Sequence, residues 1–217
     1  SELIVSADGA HTLAYRSRDA AGNLESDKTV PVMIDARPPV TSCDAPSGWA
    51  NHAVTVRFAA VDAGIGVDYT EYDLDGLGWA RGGSVIVYDD GVHALSLRSV
   101  DLLGHIEATK TFTVRIDTRG PTTKALAKAK VRRGRTATLR YRVSDALSPK
   151  AKVTIRIKTR SGRTVKTLPV VTRRTNAASS SKFRCKLARG TYRFHIYAKD
   201  LAGNKQVRKG YGTLIVR

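Results

Sequence analysis

Apolar and polar residues alternate along this chain in short runs. Val54, Val56, Phe58 and Ala60 make one, and Val85 with Val87 another. Phe112, Val114 and Ile116 follow, then Val153, Ile155 and Ile157, then Tyr192, Phe194 and Ile196, then Leu214 and Val216. A period of two places one set of side chains on one face, so each run predicts a half-buried strand. No long stretch carries the 3.6-residue period of a helix. Short strands with turn signals roughly every 8–12 residues describe an antiparallel β-sandwich, so the fold class is all-β.

One turn-strand-turn phrase occurs three times. The copies run from Asp8 to Asn23, from Asp90 to His105 and, more loosely, from Gly190 to Asn204. Each ends in Asp-x-x-Gly followed by Asn or His: Asp19, Gly22 and Asn23; Asp101, Gly104 and His105; Asp200, Gly203 and Asn204. Asp bonds its own downstream backbone and Gly takes positive φ, so these residues are expected to build structural turns. Asp8 and Asp90 are 82 residues apart, and so are Asp35 and Asp117. A proline-containing linker follows each of the latter two, Arg37-Pro38-Pro39 and Arg119-Gly120-Pro121. A fixed period near the size of a small domain predicts tandem modules. They are a partial module at 1–35, a complete one at 36–117 and a longer, diverged one at 118–217.

Residues 1–35 align with 83–117, the second half of a module, with strands expected at 3–5, 11–17 and 29–34. The chain is therefore expected to be part of a longer protein. By parity Leu13, Tyr15, Val30, Val32 and Ile34 share one face. Leaving several such side chains bare is costly, so that face is predicted to be covered. The expected cover is self-association with a second copy, ahead of another chain's module or 36–117 itself.

Several stretches resemble a known family. Pro39-Val40-Thr41, Pro46-Ser47-Gly48-Trp49-Ala50-Asn51, Asp62-Ala63-Gly64-Ile65-Gly66-Val67, Tyr72-Asp73-Leu74-Asp75-Gly76, Trp79 and the Asp-Gly-x-His phrase are similar to bacterial Ig-like repeats. The resemblance covers 36–117 nearly end to end and only the last part of the pattern in 1–35. Residues 118–217 resemble a related C-terminal type through Phe183-Arg184-Cys185-Lys186-Leu187 and Gly190-Thr191-Tyr192. It implies tandem Ig-like antiparallel β-sandwich modules, extracellular or at the cell surface, acting as non-catalytic stalk, spacer and adhesion units. Accessory modules of a secreted hydrolase with an upstream catalytic domain are the enzyme-linked alternative. In Ig sandwiches a Tyr stands two residues before a core position of strand F. Tyr192 before Phe194 and His93 before Leu95 fit that corner, and His11 is expected to behave likewise.

Charge separates the last module from the rest. Residues 1–35 carry 3 Lys/Arg and 6 Asp/Glu, residues 36–117 carry 6 and 11, and residues 118–217 carry 28 and 2. The net charges are −3, −5 and +26. Such a field attracts polyanions. The candidate polyanion-binding residues are Lys128, Lys130, Arg132, Arg133, Arg135, Arg173 and Arg174, read as loop residues, and Arg140, Arg142, Arg156 and Lys158 on the outward parity of strands. Exposed aromatics are not interleaved with them in sequence. A solvated basic surface with no specific ligand is the first expectation; among ligands, that lack of aromatics and the extracellular setting that the resemblance implies favour an anionic cell-wall polymer or polysaccharide over nucleic acid.

Other chemistry is sparse. Asp62, Asp68, Glu71, Asp73 and Asp75 lack the ligand ladder of a Ca²⁺ loop, and Asp73-Leu74-Asp75-Gly76 reads as a turn. Asp35 and Asp117 are weak candidates for a Ca²⁺ site at module junctions, and no metal or cofactor is assigned. Cys185 shares parity with Phe183 and Leu187 and is expected to be buried; Cys43 lies in another module. Trp79 is expected to line a core, and Trp49 to lie in a loop. No nucleophile elbow, phosphate-binding loop or zinc pair is present, which argues against an enzyme. No apolar run approaches the ~18 residues of a membrane helix.

Overall fold

The structure, a computed structural model, describes residues 3–217. Nineteen strands and no helix occur among them. The first two are β1 (Gly9–Tyr15) and β2 (Lys28–Ile34). Eight follow: β3 (Val40–Cys43), β4 (Trp49–Ala50), β5 (Val54–Val61), β6 (Val67–Leu74), β7 (Ala80–Arg81), β8 (Ser84–Val87), β9 (Gly91–Asp101) and β10 (Lys110–Ile116). The last nine are β11 (Thr122–Ala125), β12 (Ala129–Val131), β13 (Thr136–Ser144), β14 (Lys150–Lys158), β15 (Thr164–Thr167), β16 (Val171–Arg174), β17 (Ala177–Arg184), β18 (Gly190–Lys199) and β19 (Gly210–Val216).

One strand plan appears twice. β3-β5-β8 form a three-stranded sheet, and β4-β10-β9-β6-β7 a five-stranded one. β11-β13-β17 and β12-β19-β18-β14-β15 repeat that order, with β16 also pairing to β14. In both, a short strand near the start pairs parallel with the last, Trp49 opposite Arg115 and Ala129 opposite Leu214. Every other strand pairing within these sheets is antiparallel among the described registers. This is the strand order of an Ig-like sandwich, and the protein is an all-β chain of tandem Ig-like sandwich modules.

The chain forms two compact units. One holds the residues up to Ala45 with Thr55–Ile86 and His93–Thr113. The other holds Pro46–Val54, Val87–Val92 and Val114–Arg217. In the second, both sheets feed one core. Leu139, Tyr141, Ile155, Ile157, Phe194, Ile196 and Leu214 are each at most 1% exposed and belong to a single apolar cluster. Burying each such side chain contributes roughly 1.5–3 kcal/mol, which is why strict alternation holds along β13 and β14.

The 82-residue offset survives in three dimensions. β1 starts at Gly9 as β9 starts at Gly91, and β2 spans Lys28–Ile34 as β10 spans Lys110–Ile116. Residues 3–5, expected as a strand, form none. β1 and β2 pair only with each other, Leu13 opposite Val30 and His11 opposite Val32. Leu95 is 0% exposed, whereas its counterpart Leu13 is 36% exposed. Tyr15 and Val30 are exposed as well, whereas Val32 and Ile34 are half-buried, so within this chain the part of the inner face formed by Leu13, Tyr15 and Val30 is left uncovered.

Two tryptophan expectations change. Trp49 is in β4 and half-buried. Trp79 lies outside the core, 39% exposed, with the Arg98 guanidinium 4.1 Å over its ring. The cation holds the indole on the surface by its π-face. Cys43 is half-buried and Cys185 buried, and both are free thiols.

Candidate functional site: basic faces and aspartate turns

The three Asp-x-x-Gly turns are one structure built three times. Asp19 Oδ1 accepts from Asn23 N at 2.8 Å, Asp101 Oδ1 from His105 N at 2.9 Å, and Asp200 Oδ1 from Asn204 N at 2.7 Å. The other carboxylate oxygen bonds the side chain of the same fourth residue: Asn23 at 2.8 Å, His105 at 2.7 Å and Asn204 at 2.9 Å. Gly22, Gly104 and Gly203 sit at φ of +96°, +89° and +96°, a region glycine enters without strain. These residues hold a chain reversal, as expected.

A second set of aspartates repeats at the same offset. Asp8 accepts from Ala36 N and Asp90 from Thr118 N; Asp35 accepts from Arg37 N and Asp117 from Arg119 N. Asp35 also accepts from Ile65 N at 2.8 Å, and Asp117 from the Ser148 hydroxyl at 2.9 Å. Two carboxylate clusters result. Donor atoms of Asp35, Asp101 and His105 lie within 4.8 Å of one another, as do those of Asp117, Asp145 and Asp200. Three protein ligands are fewer than the 6–8 oxygens Ca²⁺ takes. Hydrogen bonds from Ile65 N and Arg37 N hold the Asp35 carboxyl below its ordinary range. Burial pushes Asp101 upward, but bonds from His105 and Leu103 outweigh it and the net shift is down. Asp117 goes the other way: burial dominates, Asp145 and Asp200 add repulsion, and its carboxyl is raised.

The acidic residues of 62–75 disperse. Asp62 caps Gly64 N and Gly66 N, Glu71 pairs with Arg98, and Asp75 ties the turn after β6 to His93 and Ala94. Asp75 itself sits at φ +59°, which fits the expected turn. Two of the corner residues, Tyr192 and His11, behave as their positions imply. Tyr192 OH donates to Ala188 O at 3.0 Å, and His11 Nε2 bonds Ala7 O at 2.6 Å, each four residues upstream. Sequence reading missed a polar network in the first unit. Thr41 bonds both oxygens of buried Glu107 and the Ser99 hydroxyl, and Lys110 pairs with Glu107. Thr41 and Glu107 are 66 residues apart, and no local signal links them.

The candidate basic residues divide among three places. Lys128, Arg132, Arg133 and Arg135 lie in the exposed connections around β12. Lys130, Arg173 and Arg174, expected in loops, are in strands β12 and β16. Arg173 stands opposite buried Ala151, on the inward parity, and is only half-exposed. Arg140 and Arg142 occupy the outer face of the three-stranded sheet, where Lys124 is opposite Arg142. Arg156 and Lys158 occupy the outer face of the larger sheet, opposite His195 and Arg193. The structure thus puts these residues on opposite faces and does not gather them into one patch.

The larger sheet also overturns the expectation that aromatics are missing among the cations. His195 and Tyr197 on β18 and Tyr211 on β19 share its outer face, Tyr211 directly opposite His195. Tyr211 is 59% exposed. Arg156 stacks over Tyr197 at 5.0 Å, Arg193 over Tyr211 at 5.4 Å, and the His195 and Tyr211 rings lie 5.7 Å apart. Parity along single strands hid this, since residues 195 and 211 meet only across the hairpin. Asp145 is half-buried and Asp200 buried, so no carboxylate joins this face. Among the described residues no Lys or Arg beyond Arg119 forms an ion pair.

Among the described residues no helix is long and apolar enough to cross a membrane. No protein-family model matches the chain, and no curated protein matches it. Solved structures do. The FN1–FN3 domains of chicken CNTN1 are 13% identical, with a TM-score of 0.39 over 95% of this chain and 77% of that one. A tetra-tandem repeat from the extending region of a large adhesion protein is 17% identical, at 0.34 over 95% and 57%. A Salmonella alpha-2-macroglobulin is 10% identical, at 0.37 over 95% and 21%. At such values the assignment to Ig-like sandwiches rests on the strand order of the chain itself.

Proposed function

We propose that this chain is a non-catalytic segment of a larger bacterial surface or secreted protein, spacing and adhering through tandem Ig-like modules. Its C-terminal sandwich is the adhesive part and grips polyanions, such as anionic cell-wall polymer or acidic polysaccharide. The observation that carries this reading is the outer surface of that sandwich. Its strands present Lys124, Arg140, Arg142, Lys152, Arg156 and Lys199 to solvent without ion-pair partners, while its two acids are drawn inward. Cations carried on a rigid sheet need no backbone ordering on binding, and they release counterions from the polymer.

The test is retention of the full chain on a polyphosphate column. Elution should need salt well above that needed by a variant with Arg140, Arg142, Arg156 and Lys158 changed to Gln. Equal elution of the two would mean that the charge only solvates the surface.

A further inference from the structure

The outer face of the six-stranded sheet, β12-β19-β18-β14-β15 with β16 on β14, differs from that of the three-stranded sheet β11-β13-β17 because it carries rings. His195 and Tyr197 are two residues apart on β18, which places them about 6.6 Å apart on one side of the strand. Tyr211 stands beside His195 on the neighbouring strand β19. Two half-buried rings at i and i+2 on one central strand, with exposed Tyr211 across on its neighbour and tilted 31° from His195, form a platform three rings wide. Sheet-based single-strand binders stack two or three unpaired bases on rings set out this way.

The cations are placed to serve the same ligand. Arg156 lies 5.0 Å over the Tyr197 ring and Arg193 5.4 Å over the Tyr211 ring, so each guanidinium would swing from its ring to a phosphate as a base takes the ring face. Lys158 stands opposite Arg193 on the next row of the face. Beyond Arg193, a recess of about 270 Å³ is lined by Arg160, Thr191, Tyr192, Arg193 and Thr213; the two arginines and the two threonine hydroxyls suit a phosphate, while the Tyr192 hydroxyl is held by Ala188 O.

We infer that this face is a binding platform for single-stranded nucleic acid, its bases stacked on Tyr197, His195 and Tyr211 and its phosphates paired with Arg156, Lys158 and Arg193. This rests on the polyanion reading above and narrows it to a ligand that has stackable bases. A duplex hides its base faces, and a saturated acidic polysaccharide has none. Only a single strand uses both halves of the platform. Single-stranded DNA and RNA share this chemistry, and contacts to the 2′-hydroxyl would separate them.

The experiment measures binding of the full chain to fluorescent oligo(dT), oligo(rU), a DNA duplex of equal length, and polyphosphate. Oligo(dT) or oligo(rU) should bind more tightly than the duplex at equal salt. Tyr197→Leu and Tyr211→Leu should each weaken single-strand binding by about five- to hundredfold. Both should leave polyphosphate binding and its salt slope unchanged, which also shows that the variants are folded. Tyr211→Phe, which keeps the ring, should bind nearly as the parent does. Arg156→Gln with Lys158→Gln should weaken all ligands and flatten the salt slope.

Single-strand binding that both tyrosine variants retain in full, with polyphosphate still bound, overturns the platform and leaves the polyanion reading standing. Preference for the duplex, or displacement of the oligonucleotide by acidic polysaccharide at equal charge, also overturns it. No binding of any polyanion at low salt overturns both.

Discussion

The carboxyl of Asp35 occupies the space that a side chain on residue 64 would need. A Cβ placed on Gly64 would overlap both its oxygens and its Cγ. The chain is drawn this close because Asp35 Oδ2 accepts from Ile65 N. Gly64→Ala therefore has to break that bond or shift the loop. It should cost about 1–3 kcal/mol in urea unfolding, as other overpacked sites do. In Asp35→Ala the obstruction is gone, and adding Gly64→Ala there should cost much less. Equal cost in both backgrounds would contradict the packing argument.

The turn glycines offer a separable effect. Nothing lies within 4 Å of a Cβ on Gly104, so a substitution there meets backbone strain and no clash. Gly104→Val should destabilise the protein by about 1 kcal/mol or more, and Gly104→Asn by distinctly less, since Asn tolerates positive φ. Thermal melts of the two variants would show the order.

Acid should act in two opposed ways. The carboxyls of Asp35, Asp101 and Glu107 are lowered in the fold, so their contribution is present above the unfolded carboxyl pKa and lost as pH falls through the folded values. Asp117 is raised, so ionising it costs stability as pH rises through the carboxyl range. Asp117→Asn should then raise the melting temperature at pH 7 and change it little near pH 3. A lower melting temperature at pH 7 would mean that the bond from Ser148 outweighs the repulsion.

His195 provides a probe of the basic face. Burial lowers its pKa first, and then Lys158, Arg193 and Lys209 lower it further. Arg156 faces it from β14 and Tyr211 from β19. A bound polyanion neutralises those cations, so the His195 pKa should rise on binding and affinity should strengthen as pH falls toward 6. The C2 proton of the ring, followed by NMR with and without polyphosphate, reports the shift. An unchanged titration would place the polymer on another face.

Much of this architecture was legible because it repeats. The 82-residue period carried through to individual bonds, with Asp8 and Asp90 capping residues 36 and 118 in the same way. Strand alternation identified Leu95, Phe194 and Ile196 as core positions, all 0% exposed. Long-range partnerships were hidden. Thr41 and Glu107 carry no local sign of each other, and Trp79 looked like core until Arg98 was seen across its ring. The platform was missed for the same reason. His195, Tyr197 and Tyr211 read as scattered residues until hairpin pairing set 195 opposite 211.

The parallel pairing of β12 with β19 has a mechanical consequence. Ala129, Lys130 and Val131 run beside Leu214, Ile215 and Val216, and bonds from Arg133 N to Arg217 O and from Arg217 N to Val131 O close the end of the ladder. One strand lies near the start of this sandwich and the other at its end, pointing the same way. Tension pulling those ends apart slides one strand along the other and strains all the rungs together. A hairpin pulled open at its end would lose them one by one. This sandwich is therefore clasped in the direction along which a tethered module is stretched.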